Sequence, residues 1–270
     1  METYRLKNIV ILILILLNLF LLLLISSRQV TQLRAEQALI DQTVSLLEKN
    51  QIDISPSLLK NDESLVSCTY TRNDEAEAAF AAALVGPVRV THDPSGANLY
   101  TGHLGSVTFR PNGFFFLTMP APIPVTTDHE AFLRACCPSH YHENMVTHPG
   151  DTTVLTVSPR VNGLPVYGAS MEFSFQKDTL TAASGFFLPS AEGASENRTV
   201  ITRSAAAVLL MDHCQSEGRI CSGITDITTG YLLQSTVSSP LLLTPVYRID
   251  TNTHSYYVDA ISGHVTGAKT

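Results

Sequence analysis

The chain has 270 residues, of which 44% are hydrophobic and 15% are charged, and its formal net charge is −7. This balance excludes an intrinsically disordered chain, which would have few hydrophobic and many charged residues. The negative charge argues against nucleic-acid binding, because that function needs a basic surface to displace counterions from phosphates. We therefore expect one or two globular domains that bind no nucleic acid.

Residues 9–25 form an apolar segment with a single polar residue, Asn18. As a helix this segment would span roughly 26 Å, close to the ~30 Å hydrocarbon core of a bilayer. It is longer than the apolar core of a signal peptide, and no small-x-small cleavage site follows it. We therefore predict an uncleaved single-pass anchor in the cell membrane. The short flank before it predicts a cytoplasmic N-terminus and an extracytoplasmic C-terminal domain.

Asn18 lies near the middle of this segment, where lipid offers an amide group no hydrogen-bond partner. A neighbouring transmembrane helix could supply one, or Asn18 could bond within its own helix or be tolerated there. Leu17, Phe20 and Leu21 would share a contact with another helix, although each of them could equally face lipid.

Residues 28–49 contain no glycine or proline and carry apolar residues at spacings of three and four. This pattern predicts a helical stalk that continues the membrane helix. The apolar stripe could pack on the chain's own domain or on a partner's stalk. Asn50 and Pro56 are expected to end the helix, and a short extended segment should then lead into the globular part.

Three further helices are predicted near 74–84, 127–136 and 203–213, each followed by strands. Short turns at Pro111–Gly113, Asn162–Gly163 and Ser262–Gly263 join neighbouring strands. Long crossover connections are missing, so we predict an α+β fold with antiparallel sheets, each packed with a helix. The predicted strands cover 98–110, 113–118, 152–160, 164–176, 179–188, 220–234, 241–250, 254–260 and 263–268.

The same pattern divides the chain into an anchor, a stalk and two globular parts. The anchor covers 1–27 and the stalk with its linker covers 28–60. A first α+β unit covers 61–122, and a C-terminal α+β domain with two helix-plus-strands repeats covers 123–270.

No catalytic motif is apparent, since a G-x-S-x-G elbow and a phosphate-binding P-loop are both missing. His140, His142 and His148 could supply zinc ligands near Cys136 and Cys137. However, this segment has the character of a proline-bounded surface loop, and no second cluster completes a site. We therefore predict a protein without enzymatic activity, cofactor or metal.

The five cysteines are too few for a dense disulfide framework, and their odd number leaves one unpaired. Cys214 and Cys221 flank a predicted helix-to-strand turn and could form a disulfide outside the cytoplasm. Free thiols are the alternative for this pair and for the other cysteines.

Several stretches resemble the YycH/YycI family, and YycI in particular, over most of the chain, and residues 61–150 match least clearly. Two of them, NGLPVYG (162–168) and YYVDAISG (256–263), are also similar to PepSY-type repeats. The stretches that carry the resemblance are LLNLFLLL (16–23), LLEKNQIDIS (46–55), NGLPVYGASMEFSF (162–175), DTLTAASGFFL (178–188), ITDITTGYLLQ (224–234), LTPVYRID (243–250) and SYYVDAISGHV (255–265).

The resemblance implies a membrane-anchored, non-catalytic accessory regulator of a WalK/YycG-type sensor histidine kinase that controls cell-wall genes in low-GC Gram-positive bacteria. It implies transmembrane contacts, for which Asn18, Phe20, Leu17 and Leu21 are the candidates, together with contacts of the extracytoplasmic domain. A YycH-like protein could be a second partner, beside the lipid bilayer. Two other classes stay open: an exported PepSY-like module that binds a peptide or inhibits a peptidase, and an enzyme whose site the sequence does not reveal.

Overall fold

A computed structural model describes residues 2–60, 65–125, 128–190, 194–196, 198–234 and 241–268. For residues 2–12, 23–33, 129, 144 and 194–196 only the backbone is described. Within these ranges the chain has an α+β fold rich in antiparallel strands, as the sequence predicted.

The helices and strands alternate along the chain in the order that the sequence indicated. The helices are α1 (Glu2–Lys49), α2 (Asp74–Val85), α3 (His129–Cys136) and α4 (Arg203–Ser216), and a 3-10 helix covers Pro56–Leu59. The strands are β1 (Asp53–Ile54), β2 (Ser67–Tyr70), β3 (Arg89–His92), β4 (Asn98–Thr101), β5 (Ser106–Phe109), β6 (Phe114–Thr118), β7 (Ile123–Pro124), β8 (Tyr141–Thr147), β9 (Thr152–Val161), β10 (Leu164–Tyr167), β11 (Met171–Gln176), β12 (Thr179–Phe186), β13 (Ala194–Glu196), β14 (Gly223–Gln234), β15 (Leu241–Thr251), β16 (Ser255–Asp259) and β17 (Val265–Gly267).

The strands form two sheets. In the first sheet the order is β3–β4–β5–β6–β12–β11–β9–β8, with every neighbour antiparallel, and β7 lies beside the start of β12. In the second sheet the order is β17–β16–β15–β14, and β2 and β13 extend it beside the start of β15. β1 and β10 each pair in parallel with β14. Because β10 also pairs with β9, it joins the two sheets.

The chain has two hydrophobic cores, one mainly on each sheet. In the first core α2 and α3 pack on the first sheet, with the Phe80 ring centroid 4.9 Å from that of Phe115 and the Phe132 centroid 5.7 Å from that of Phe175. In the second core α4 and the end of α1 pack on the second sheet. Residues 61–64, at the start of the predicted first unit, lie outside the described residues, and the predicted division at 122 stays a prediction.

The stalk is part of α1, which continues without a break to Lys49. Its stripe packs on the chain's own domain: Ile40 and Leu47 are 2% and 0% exposed in the second core, and Val44 packs against it. Gln51 then takes a left-handed conformation, with a φ of 60°, and the amide of Ile52 donates to the carbonyl of Leu47 at 2.9 Å. Such a left-handed residue is a common helix stop. The side chains at 30 and 33 in the predicted stripe lie outside the described ones.

Within the residues whose side chains the structure describes, no helix is both long and apolar enough to cross a membrane. The transmembrane anchor stays a prediction.

Two predicted strands are divided in the structure. The predicted strand 98–110 is interrupted between β4 and β5, where the amide of Gly102 donates to the carbonyl of Gly105 at 2.9 Å. A Cβ at Gly102 would lie 2.4 Å from the carbonyl oxygen of Val85, so only glycine fits against the end of α2. The predicted strand 164–176 divides into β10 and β11, because β10 leaves its hairpin to pair with β14.

The other elements that the sequence predicted lie close to their predicted positions. α2 and α4 match the predicted helices, and α3 begins at residue 129, while position 127 lies outside the described residues. The predicted Asn162–Gly163 turn is confirmed: both residues have positive φ, 52° and 79°, between β9 and β10. This is the geometry of a two-residue hairpin turn.

Leu46 and Leu47 offer a matched test of how α1 is held. Leu47→Ala should lower the free energy of unfolding by about 2–5 kcal/mol, because its side chain is 0% exposed in the second core. Leu46→Ala should change it by no more than about 0.5 kcal/mol, since Leu46 is 40% exposed. Urea unfolding of the full chain in detergent micelles measures both, and equal losses would contradict this account of the stalk.

Candidate functional site

The four predicted contact residues of α1 have exposed side chains. Leu17, Phe20 and Leu21 are 53%, 56% and 46% exposed, and Asn18 is exposed as well. At about 100° of rotation per residue, Leu17 and Leu21 lie within roughly 100° of Asn18, whereas Phe20 lies about 200° away. The helix therefore brings three of the four onto one side and places Phe20 on another.

The segment that carries the histidines was predicted to be a surface loop, and that prediction is wrong. Most of it forms β8, which pairs with β9. Tyr141 is buried and donates its hydroxyl proton to the carbonyl of Phe186 at 2.9 Å, while it accepts from the amide of Leu188 at 2.8 Å. A ring nitrogen of His140 lies 3.1 Å from the carbonyl oxygen of Leu188. These contacts with residues more than forty positions away attach the segment to the sheet.

β8 is an edge strand of the first sheet. Within the described part of the chain it pairs with β9 alone, so the backbone groups on its other side face away from the sheet. Met145 and Val146 are 55% and 41% exposed, and the strand contains neither lysine nor proline. A change of register between Glu143 and Met145 is its single irregularity. An edge with these features can accept an additional strand.

A first cavity, of about 490 Å³, lies between α3 and this edge. Its apolar wall comes from Leu133, Tyr141 and Val157, all of which are buried. Its rim carries the ion pair of Glu130 and Arg134, whose oxygen and nitrogen atoms are 3.0 Å apart and exposed. The cavity therefore offers apolar surface with a charged border.

A second cavity, of about 480 Å³, lies where the two sheets meet at β10. Arg248 lies 5.7 Å from the ring centroid of Tyr167 and donates to a carboxylate oxygen of Asp250 at 3.1 Å. The rings of Tyr167 and Tyr257 are 5.1 Å apart. Burial raises the pKa of Tyr167 to about 12, so its hydroxyl stays protonated at neutral pH.

The two cavities lie on opposite faces of the first sheet. Along β9, Val157 borders the first cavity, and Thr156 and Ser158 border the second. Successive side chains of a strand point to opposite faces. Glu143 pairs with Val157 and His142 pairs with Ser158, so these two neighbours also point to opposite faces. Both contribute to both cavities because they form the border between them.

The residues considered for a metal site do not converge. Among the described residues no group of three or more His, Cys, Asp or Glu side chains could hold a metal ion. The sulfur atoms of Cys136 and Cys137 are 3.9 Å apart, and both residues have free thiols. The hydrogen bond between the Cys137 and Cys136 thiols and burial both raise the pKa of the Cys137 thiol, which is therefore uncharged. Cys214 and Cys221 also have free thiols.

Sequence reasoning missed this edge and its cavities. The lining of the second cavity comes from two groups of strands, β8–β10 and β14–β16, which are far apart along the chain. The alternation of buried Tyr141 with exposed His142 was the local indication of a strand. It was too short to outweigh the prolines that flank the segment.

The comparisons with known proteins do not identify a family. No protein-family model matches the chain, and no curated protein matches it. Among solved structures the chain is similar to the C-terminal domain of YpeB from Bacillus megaterium, with 10% identity and a TM-score of 0.40, over 75% of this chain and 100% of that chain. It is also similar to an uncharacterized protein from Eubacterium rectale ATCC 33656, with 10% identity and a TM-score of 0.41, over 76% of this chain and 85% of that chain.

His140, next to β8, should make stability depend on pH. Burial lowers the pKa of His140, and the nearby His142 lowers it further. As the pH falls below the ordinary histidine value of about 6.5, the unfolded chain takes up the proton first, so the folded state loses stability. His140→Gln should reduce this loss between about pH 7.5 and 5.5, measured by urea unfolding at each pH. The exposed His148→Gln serves as the control and should leave the loss unchanged.

Proposed function

We propose that this chain is a membrane-anchored, non-catalytic regulator of a WalK/YycG-type sensor histidine kinase. The sequence resemblance to the YycH/YycI family supports the proposal. The observation that carries it is the continuity of α1, which runs from the exposed apolar side chains at 13–22 to Ile40 and Leu47 in the second core. The anchor and the globular part would therefore belong to one rigid element.

Such a helix can couple the position of its membrane segment to the position of the globular part over a long distance. At 1.5 Å per residue its 48 residues span about 72 Å. A protein with one span can bias a kinase only if it contacts the two signalling states of the kinase differently. In lipid the Asn18 amide would need a hydrogen-bond partner, and a kinase helix can provide it. Leu17 and Leu21 would pack beside it.

The orientation follows from the same proposal. The N-terminus would lie in the cytoplasm, the membrane would surround the apolar segment of α1, and both sheets would lie outside the cytoplasm. A YycH-like protein could join the complex through the extracytoplasmic part.

Asn18→Leu tests the membrane contact. It should weaken association with the kinase roughly threefold to thirtyfold, because one interhelical hydrogen bond is worth about 0.6–2 kcal/mol. A kinase-dependent reporter should then shift toward the value of the deletion strain. Leu16→Ala is the matched control, since Leu16 is exposed and lies about 200° around the helix from Asn18. It should leave the reporter unchanged.

Two results would contradict the regulator function. One is a deletion strain whose kinase output under cell-wall stress equals that of the wild type. The other is full restoration of output by the globular part when α1 is truncated before the stalk, because the proposal requires the anchor.

A second candidate function is an exported module that binds a peptide. The observation that favours it is the open edge of β8 with a cavity on each face of its sheet. Addition of a peptide strand to a sheet edge is a common recognition mode. A bound strand would slow hydrogen exchange at the amides of β8, which mass spectrometry can measure.

A further inference from the structure

We infer that the second cavity, of about 480 Å³ between the two sheets, binds a neutral saccharide. Its volume lies within the range of roughly 300–1,000 Å³ that is usual for small-molecule sites. The inference goes beyond the proposed function, and it requires neither the kinase nor a peptide at the edge of β8.

The second sheet contributes one wall, and the strand pairings show which side chains share it. Across β14 and β15, Asp226 is paired with Asp250 and Thr228 is paired with Arg248. Tyr257 of β16 is paired with Arg248 in turn. Because directly paired residues point to the same face of a sheet, these five side chains lie together on the face that lines the cavity.

The first sheet contributes the other wall through alternate residues of β9. Thr156, Ser158 and Arg160 line the cavity, as expected for residues that share one face of a strand. Glu143 is paired with Val157, which is buried in the first core. The Glu143 carboxylate therefore points to the other face, and its charge does not belong to this cavity.

The charges of the two walls balance. Arg160 and Arg248 carry two positive charges, and Asp226 and Asp250 carry two negative charges. Asp226 and Asp250 lie opposite each other, and Arg248 offsets their repulsion by donating from Nε to Asp250 at 3.1 Å. With no net charge in its walls, the cavity favours a neutral ligand over an anion or a cation.

The same groups keep hydrogen-bonding capacity for a ligand. Among the described residues, Asp226 accepts one side-chain hydrogen bond, from Thr228 at 2.8 Å, and Arg248 donates one, to Asp250. A carboxylate can accept about four hydrogen bonds and a guanidinium group can donate about five. Each hydroxyl group of a saccharide both donates and accepts. Neighbouring hydroxyls therefore match a wall in which carboxylates and a guanidinium group lie side by side.

Two tyrosines add flat apolar surface to this wall. The ring centroids of Tyr167 and Tyr257 are 5.1 Å apart, and both residues are half-buried. Burial raises the pKa of both side chains, so their hydroxyl groups stay protonated at neutral pH and can donate. The C–H face of a sugar ring can pack on such rings while its hydroxyls reach the charged groups.

A zwitterion such as a free amino acid fits this arrangement less well. Of the four charged residues, Asp226 and Arg160 form no ion pair among the described residues. They lie on β14 and β9, whose backbones are about 10 Å apart because β10 lies between them. Arg160 also donates to the carbonyl of Gly163 at 3.1 Å, at the turn. The two charged groups of one amino acid are too close together to reach both side chains.

Saturation-transfer NMR tests the inference on the full chain in phosphatidylcholine nanodiscs, because sugar-based detergents would compete for the site. The neutral probes are cellobiose, maltose, lactose and chitobiose. Deacetylated chitobiose is the cationic probe, cellobiouronic acid the anionic probe and alanyl-alanine the zwitterionic probe, with empty nanodiscs as the blank. At least one neutral disaccharide should bind at millimolar concentration. The charged probes should bind at least roughly fivefold more weakly, because each would bury an uncompensated charge.

Variants of the chain locate the site. Asp226→Asn and Arg248→Lys should each weaken binding of the best disaccharide roughly tenfold, because the first removes a charged acceptor and the second removes the planar fork of donors. Asp212→Asn on the exposed side of α4 and Glu143→Gln are the controls, and both should leave the affinity unchanged. Thermal unfolding identifies a variant that fails to fold. Tyr257→Phe then replaces it and should weaken binding roughly threefold, since it removes one hydroxyl group.

Four outcomes would overturn the inference. Failure of all four neutral disaccharides to bind would refute the ligand class, and equal binding of the charged probes would refute the argument from balanced charge. Binding of alanyl-alanine alone would assign the cavity to a peptide. Saccharide binding that persists unchanged in the site variants would place it elsewhere on the chain. None of these results affects the proposal about the kinase.

Discussion

The hairpin of β14 and β15 connects the two halves of the molecule, because it contributes buried residues to both hydrophobic cores. Its two strands pair over almost their whole length. One end of the hairpin contributes to the first core and the other end to the second core. The residues concerned are Tyr231, Leu241 and Leu243 in the first core and Ile224, Ile227, Tyr247 and Ile249 in the second. Separation of the two strands would therefore expose apolar surface on both sides at once, and this couples the stability of one core to that of the other.

The same hairpin positions β10 and, with it, the second cavity. At Gly230 of β14 a Cβ atom would lie 2.6 Å from the ring of Tyr167 and 2.8 Å from the carbonyl oxygen of Pro165. Only glycine therefore allows β10 to approach so closely. This close approach brings Tyr167 into contact with Arg248. The turn at Asn162–Gly163 connects β9 to β10, so β10 also pairs with the first sheet. The geometry of the cavity thus depends on contacts that also join the two sheets.

These dependencies explain which features the sequence could predict. The helices α2 and α4 and the turn at Asn162–Gly163 follow from local patterns, and local patterns are readable in a single sequence. β8 depends on the contacts of Tyr141 with Phe186 and Leu188, which no local pattern reveals. The second cavity depends on strand register across both sheets, so its lining could not be assembled from spacing. The helical conformation of the apolar segment at the start of the chain was predicted from its sequence, and it forms part of α1.

An open edge such as β8 is also a liability, because another strand can pair with it. The chain reduces this risk at its other edges: β3 begins with Arg89, and β17 has only three residues. β8 has seven residues and only a register shift to disturb it. Charge can still limit self-pairing at this edge. When two copies of β8 pair antiparallel about Glu143, two carboxylates come close together, and like charges opposite each other destabilise a strand pair.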